Sequence, residues 1–142
     1  MAAIWFDPNL TIDALVPLGK NTLGEHLGIE WVELGEDYIV ASMPVDHRTK
    51  QPYGLLHGGA SVALAETLGS VGAALSVDPS RYIAVGMEIN ANHIRSAKDG
   101  KVYGTARPIH RGGSTHVWEI RIENEKSQLI CISRLTVAIR KI

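Results

Sequence analysis

HGGASVALAETLGSVGAALS, residues 57–76, is the stretch whose reading decides the fold. Nearly every side chain in it is small or apolar, and Glu66 carries its only formal charge. It reads as one long helix, and a helix that is apolar all round is expected to be buried. The length approaches that of a membrane span. Four glycines, a central carboxylate and alternating segments on both sides argue instead for a helix in the core of a globular domain.

The flanking segments supply what such a helix would be buried against. Upstream, Asp46 to Leu56 is polar and punctuated by Pro52 and Gly54, which makes it a loop. Before that loop, Ile29 to Leu34 and Tyr38 to Val45 alternate in strand fashion around Gly35-Glu36-Asp37, a hairpin signal. Leu10 to Leu18 predicts a small amphipathic helix with Thr11 as N-cap and Asp13 in its first turn, and Thr22 to Leu27 another turn. Downstream of Asp78-Pro79-Ser80 come four more strand-like runs, Tyr82 to Ile94, Val102 to Ile109, Thr115 to Ile122 and Leu129 to Ile139. Gly100, Gly112-Gly113 and a polar stretch from Asn124 to Ser127 separate them. Strands joined by short turns pair antiparallel, so the expected fold is α+β, about six antiparallel strands wrapped around one long helix.

Composition narrows the setting. The 142 residues suit a single domain over the whole sequence, 20% of them are charged, 45% are apolar, and the formal net charge is −1. No excess of either sign draws such a surface to nucleic acid or to anionic membranes. Cys131 is the only cysteine, so no disulfide can form within the chain. The beginning of the sequence, MAAIWFDPNL, lacks the pattern of a secretory signal. These features lead to an expected location in the cytoplasm.

Six antiparallel strands around one helix make the hotdog architecture, and QPYGLLHGGASVALAETLGS, residues 51–70, is where a family resemblance concentrates. The chain resembles the hotdog-fold thioesterases that cleave 4-hydroxybenzoyl-CoA or 1,4-dihydroxy-2-naphthoyl-CoA with a helix glutamate, and their phenylacetate-pathway relatives. The resemblance continues through MEINANHIRSAKDGKV, residues 87–102, to the last strand. It implies that Glu66 is the nucleophile or general base, that Gln51 and His57 are polar groups near the thioester, that the Gly58 N–H is an oxyanion donor, and that Ser70 assists Glu66. It further implies His93 at the acyl pocket, and Arg95, Ser114 and Thr115 near the coenzyme A nucleotide. Coenzyme A would be part of the substrate, with no separate cofactor and no metal. The implied substrate is an aromatic acyl-CoA, the implied assembly a homodimer paired into a tetramer, and one implied setting is menaquinone biosynthesis.

The residues make chemical sense without the family. An attacked thioester carbonyl becomes negative at oxygen, and free N–H groups at the positive end of a helix dipole suit that charge. Gly58 and Gly59 allow close approach to that backbone. A carboxylate on an apolar helix would be poorly solvated, which favours its attack on the carbonyl or on a proton of water. Ser70, four residues beyond Glu66, falls on the same helix face. Eight residues separate Gly58 from Glu66, however, and at 1.5 Å per residue that is about 12 Å. One carbonyl cannot meet both on a single helix. Two helices meeting antiparallel across a two-fold axis would bring Glu66 of one chain to Gly58 of the other.

Each residue also has a structural reading. Glu66 would then be a buried carboxylate paired with a structural partner, and His57 only a cap of the helix, through its backbone. Gln51 and Ser70 would satisfy local backbone groups, His93 would pack in the core, Arg95 would be a solvated charge, and Ser114 and Thr115 would be turn residues. His47, His57, His93, His110 and His116 show no metal-ligand spacing. Two rival functions share the fold. A dehydratase would pair a histidine with a carboxylate at an α-carbon, and a non-catalytic acyl-CoA sensor would have little use for Glu66.

Overall fold

The alternating segments form strands close to where their patterns lie. The computed structural model describes residues 2–142, with β1 at Glu30–Leu34, β2 at Ile39–Pro44, β3 at Tyr82–His93, β4 at Lys101–Arg111, β5 at Thr115–Asn124 and β6 at Leu129–Lys141. All neighbours pair antiparallel, in the order β1-β2-β4-β5-β6-β3. The long helix α2, Gly58–Leu75, packs across one face of this sheet in the hotdog arrangement. It also acts as the crossover that carries the chain from β2 to β3 at the far edge.

The predicted N-terminal helix is present but takes the tighter 3-10 form over Ile12–Gly19, with Pro17 inside it. A proline that cannot donate a backbone hydrogen bond disfavours continuous α-helix there. Thr11 stands at its N-cap position without a side-chain capping bond. The predicted second turn is α1, Leu23–Leu27, and Gly28 closes it at a left-handed φ of 74°.

The expectation of a helix buried on all sides is corrected. Ala60, Ser61, Leu64, Ala65, Leu68, Gly69, Gly72 and Ala73 are buried against the sheet, whereas Gly59, Glu66 and Ala74 are exposed. One sheet can cover only one side of a helix, and uniform apolarity conceals which side that is. The covered side packs tightly. A Cβ on Gly72 would lie 2.9 Å from the Trp118 ring, and one on Gly69 would lie 2.6 Å from Leu135. The glycines therefore let the helix settle directly onto β5 and β6. Around them Ile39, Ala41, Met43, Val102, Ala106, Trp118, Ile120, Ile122, Leu135 and Val137 complete the core. Cys131 is buried here as well, its thiol pushed up by loss of solvent, in keeping with a packing role.

Candidate active site

The loop between β2 and α2 sets the first half of the site. Thr49 is buried and donates its hydroxyl to the Pro44 carbonyl at 2.8 Å. Asp46 grips the Arg48 guanidinium at 2.7 Å, and hydrogen bonds from Arg48 hold the Asp46 carboxyl down at about 2. The His57 N–H donates to Thr49 O at 2.8 Å, and the Leu56 N–H to Ala97 O at 2.8 Å, which ties the loop to the segment after β3. Gln51 opens a tight turn whose backbone closes from its N–H to Leu55 O at 2.8 Å. Its Oε1 accepts the Tyr53 N–H, leaving its amide NH2 available as a donor.

At the start of α2 the imidazole of His57 is itself the cap. Its Nδ1 accepts the Gly59 N–H at 2.8 Å. A ring nitrogen that accepts cannot carry the proton, so in the neutral ring Nε2 is the donor. This bond also divides the two glycines. The Gly59 N–H is used, while Gly58, first in the helix, has no carbonyl one turn earlier within the helix to receive its own.

Gln51, Gly58, Ser61, His93 and Arg95 line one cavity of about 260 Å³ together with Leu55, Ile94 and Ile130. His93 is exposed at the end of β3 rather than packed in the core. Its Nε2 lies 2.8 Å from where a Cβ on Gly58 would project, so any larger residue at 58 would push the ring away. Ser61, buried and in this cavity, was missed by sequence reasoning. Its spacing of three from Gly58, which puts it on the same helix face, is the signal that could have found it.

Glu66 lies outside this cavity, two turns further along α2. Its carboxylate leans toward β3, where Oε2 comes within 2.7 Å of the place a Cβ on Gly86 would occupy. Among the described residues it has no hydrogen bond or ion pair, so the buried structural partner is not found. Within one chain Glu66 is exposed. Ser70 follows one turn later and lines a separate apolar cavity with Val71, Leu75, Phe6, Leu10 and Leu18.

The structure does not bring Ser114 and Thr115 to Arg95 within one chain. Thr115 pairs with Ala138 at one end of the sheet, whereas His93 pairs with Cys131 at the other. Seven residues of β6 at about 3.3 Å each put some 20 Å between those ends. Strand order decides this distance, and turn composition alone carries no record of it.

Among the other histidines, His116 is buried, and its Nδ1 accepts the Trp118 indole N–H at 3.3 Å. Burial, followed by the nearby Arg111 and His110, lowers its pKa to about 4, so it is neutral and structural at pH 7. No described helix is long and apolar enough to cross a membrane.

The start of α2 thus leaves the Gly58 N–H free within the helix, with the Gln51 amide and the His93 ring in the same cavity and His57 next to it. Residues 53–131 match the family model described as thioesterase superfamily, a span that contains every candidate site residue except Gln51. The chain is 50% identical over 130 residues to the 1,4-dihydroxy-2-naphthoyl-CoA hydrolase of Escherichia coli, covering 92% of this chain and 95% of that protein. It is 48% identical over 131 residues to the proofreading thioesterase EntH of Cronobacter turicensis, with the same two coverages, 92% and 95%. A crystal structure of a Haemophilus influenzae thioesterase superimposes with a TM-score of 0.93 at 47% identity, covering 97% of this chain and 95% of that one. The chain belongs to the thioesterase superfamily. It is a thioester hydrolase of hotdog fold.

Proposed function

We propose that the protein hydrolyses an aromatic acyl-CoA to the free acid and coenzyme A, using Glu66 as nucleophile or general base in a site shared between two copies of the chain. The observation that carries this reading is the split of the chemistry along α2. The donors gather at Gly58, while the only carboxylate on the helix stands about 12 Å away, exposed and unpaired in one chain. An antiparallel second helix would reunite them.

The edge of the sheet supports that partner. β3 pairs only with β6, and along it Ile83, Val85 and Met87 are exposed, Met87 by 63%. An unpaired edge bearing apolar side chains favours covering by another chain. An antiparallel partner there would also set its Ser114 and Thr115 end beside Arg95, where the nucleotide of coenzyme A is expected. In such a site Gly58 N–H and the Gln51 amide would hold the carbonyl oxygen, His57 and His93 would border the thioester, and Ser70 would steady Glu66. Removal of Glu66 from bulk water by the partner would strengthen its action on the carbonyl or on water.

The 1,4-dihydroxy-2-naphthoyl-CoA hydrolase relative supports the aromatic acyl group, and a menaquinone setting and cytoplasmic location belong to the same proposal. Release of free thiol from a panel of aromatic, straight-chain and unsaturated acyl-CoAs tests it. Turnover highest on aromatic thioesters is the expected result. Faster hydrolysis of straight chains would overturn the substrate class, and binding without thiol release would overturn the catalytic reading in favour of a sensor.

A further inference from the structure

A hydroxyl on a helix is ordinarily answered by the helix itself. Thr67 of α2 donates back to Ala63 O at 2.7 Å, and Ser76, just past the helix end, donates to Ala73 O at 3.0 Å. Ser61 departs from this pattern. It is 1% exposed, and its backbone N–H bonds His57 O at 3.2 Å as the helix requires. Among the described residues its hydroxyl donates to nothing, yet no side-chain oxygen there is both sealed off and unpartnered. The Ser61 oxygen is therefore still open to the cavity that it lines with Gln51, Gly58 and His93.

Helical geometry brings that oxygen to Gly58. Ser61 stands three residues on, about 4.5 Å along the axis and on the same face. A helical Cβ tilts toward the N-terminus, so the Ser61 side chain lies over the first turn, where the Gly58 N–H has no carbonyl inside the helix. A single acceptor about 3 Å from each donor fits between the two. Leu55, Leu56, Ala97 and the buried Ile130 make up much of the remaining wall and supply no side-chain acceptor. A serine in such company costs stability that alanine would not, unless something entering the cavity accepts its proton.

We propose that the Ser61 hydroxyl donates to the carbonyl oxygen of the bound thioester, beside the Gly58 N–H, and is a further substrate-contacting residue of the reaction. The proposal rests on the thioesterase reading given above, in which Gly58 holds that oxygen. The carbonyl oxygen becomes negative when the thioester is attacked, and a hydrogen bond to it strengthens as the charge develops. The proton stays on Ser61 throughout, and no covalent step passes through it. Ser61 thus differs from Arg95, whose contact with the nucleotide is the same before and during the reaction.

Ser61→Ala tests this by removing the hydroxyl and little else. It should lower kcat at least about tenfold with little change in KM. The unfolding midpoint should hold or rise, because no bond within the chain is lost and alanine is the better helix former. Two inert ligands then separate a carbonyl contact from packing. Benzoyl-CoA with methylene in place of sulfur keeps the carbonyl, whereas benzyl-CoA, a thioether, lacks it. Ser61→Ala should weaken binding of the first severalfold and leave the second unchanged. Equal effects on both ligands, or a rise in KM alone, would overturn the carbonyl contact and leave the Glu66 reading standing. A lowered midpoint with unaltered kcat would make Ser61 structural and likewise overturn it. Ser61→Cys, similar in size and a weak donor, repeats the comparison if Ser61→Ala fails to fold. Absence of thiol release by wild type on every acyl-CoA would remove the Glu66 reading, and the two inert ligands would still decide the Ser61 contact.

Discussion

The two sides of α2 are built from nearly the same kinds of residue, yet they meet different surroundings. On the sheet side Leu64, Leu68, Gly69 and Gly72 are buried and interlock with Gly104, Trp118 and Leu135. On the outward side Gly59, Glu66 and Ala74 are exposed, with Ser70 half-buried between them. The first side is satisfied within the chain. Among the described residues, the second presents a carboxylate with no partner and apolar surface with no cover, a combination that folding alone does not explain. The comparison teaches that an all-apolar helix can divide its work, one side holding the fold together and the other, on the proposed reading, left for a second copy and a substrate.

Substitutions should separate the two sides. Leu68→Ala empties a fully buried position against Gly104 and should cost about 2–5 kcal/mol of stability, read by denaturant unfolding. Glu66→Gln keeps the shape of the outward side and should leave stability nearly unchanged while lowering kcat on the order of 100-fold. A substantial stability loss from Glu66→Gln, with activity retained, would reverse the assignment of the two sides.

Smaller effects sharpen the picture. Gly86→Ala places a methyl group against Glu66 Oε2, so the carboxylate must move although the strand can remain. A drop in kcat of about tenfold with an unaltered unfolding midpoint is expected, as for a misplaced catalytic group. Arg95→Ala lies beyond the helix altogether, in the polar cavity. It should raise KM severalfold and leave kcat nearly constant, since a contact remote from the carbonyl is equal in ground and transition states. Steady-state kinetics with a coenzyme A thioester and with a substrate lacking the nucleotide would check this, the latter being insensitive to the change.

Local pattern made most of the fold legible. The six alternating runs and the uninterrupted small-residue segment gave strands and helix nearly at their observed limits, because periodicity and glycine punctuation act within a few residues. The start of α2 was legible too, although the use of the His57 ring as its cap was not, histidine being no preferred capping residue. What local pattern cannot carry is the pairing of β3 with β6 across 38 to 59 residues, from His93↔Cys131 to Tyr82↔Lys141, and everything that depends on it. The roughly 20 Å between the Ser114-Thr115 end and the Arg95 end of the sheet within one chain likewise exists only after that pairing. The side on which Glu66 points was hidden for a related reason, since leucine, alanine and glycine on every side of a helix give no direction to its burial. His93 beside Gly58 and Ser61 within the same cavity emerged only once β3 and α2 lay together.

The central claim, a site assembled from two chains, is tested most directly by mixing two inactive proteins. One parent carries Glu66→Gln, and the other carries Gln51→Ala with His57→Ala. If opposite halves of each site come from different chains, a mixed dimer has one site with all the lesions and one with none. Equal amounts refolded together and paired at random give half mixed dimers, so activity should return to about a quarter of wild type. No return of activity, with each parent folded and mixed dimers demonstrated, would contradict the shared site.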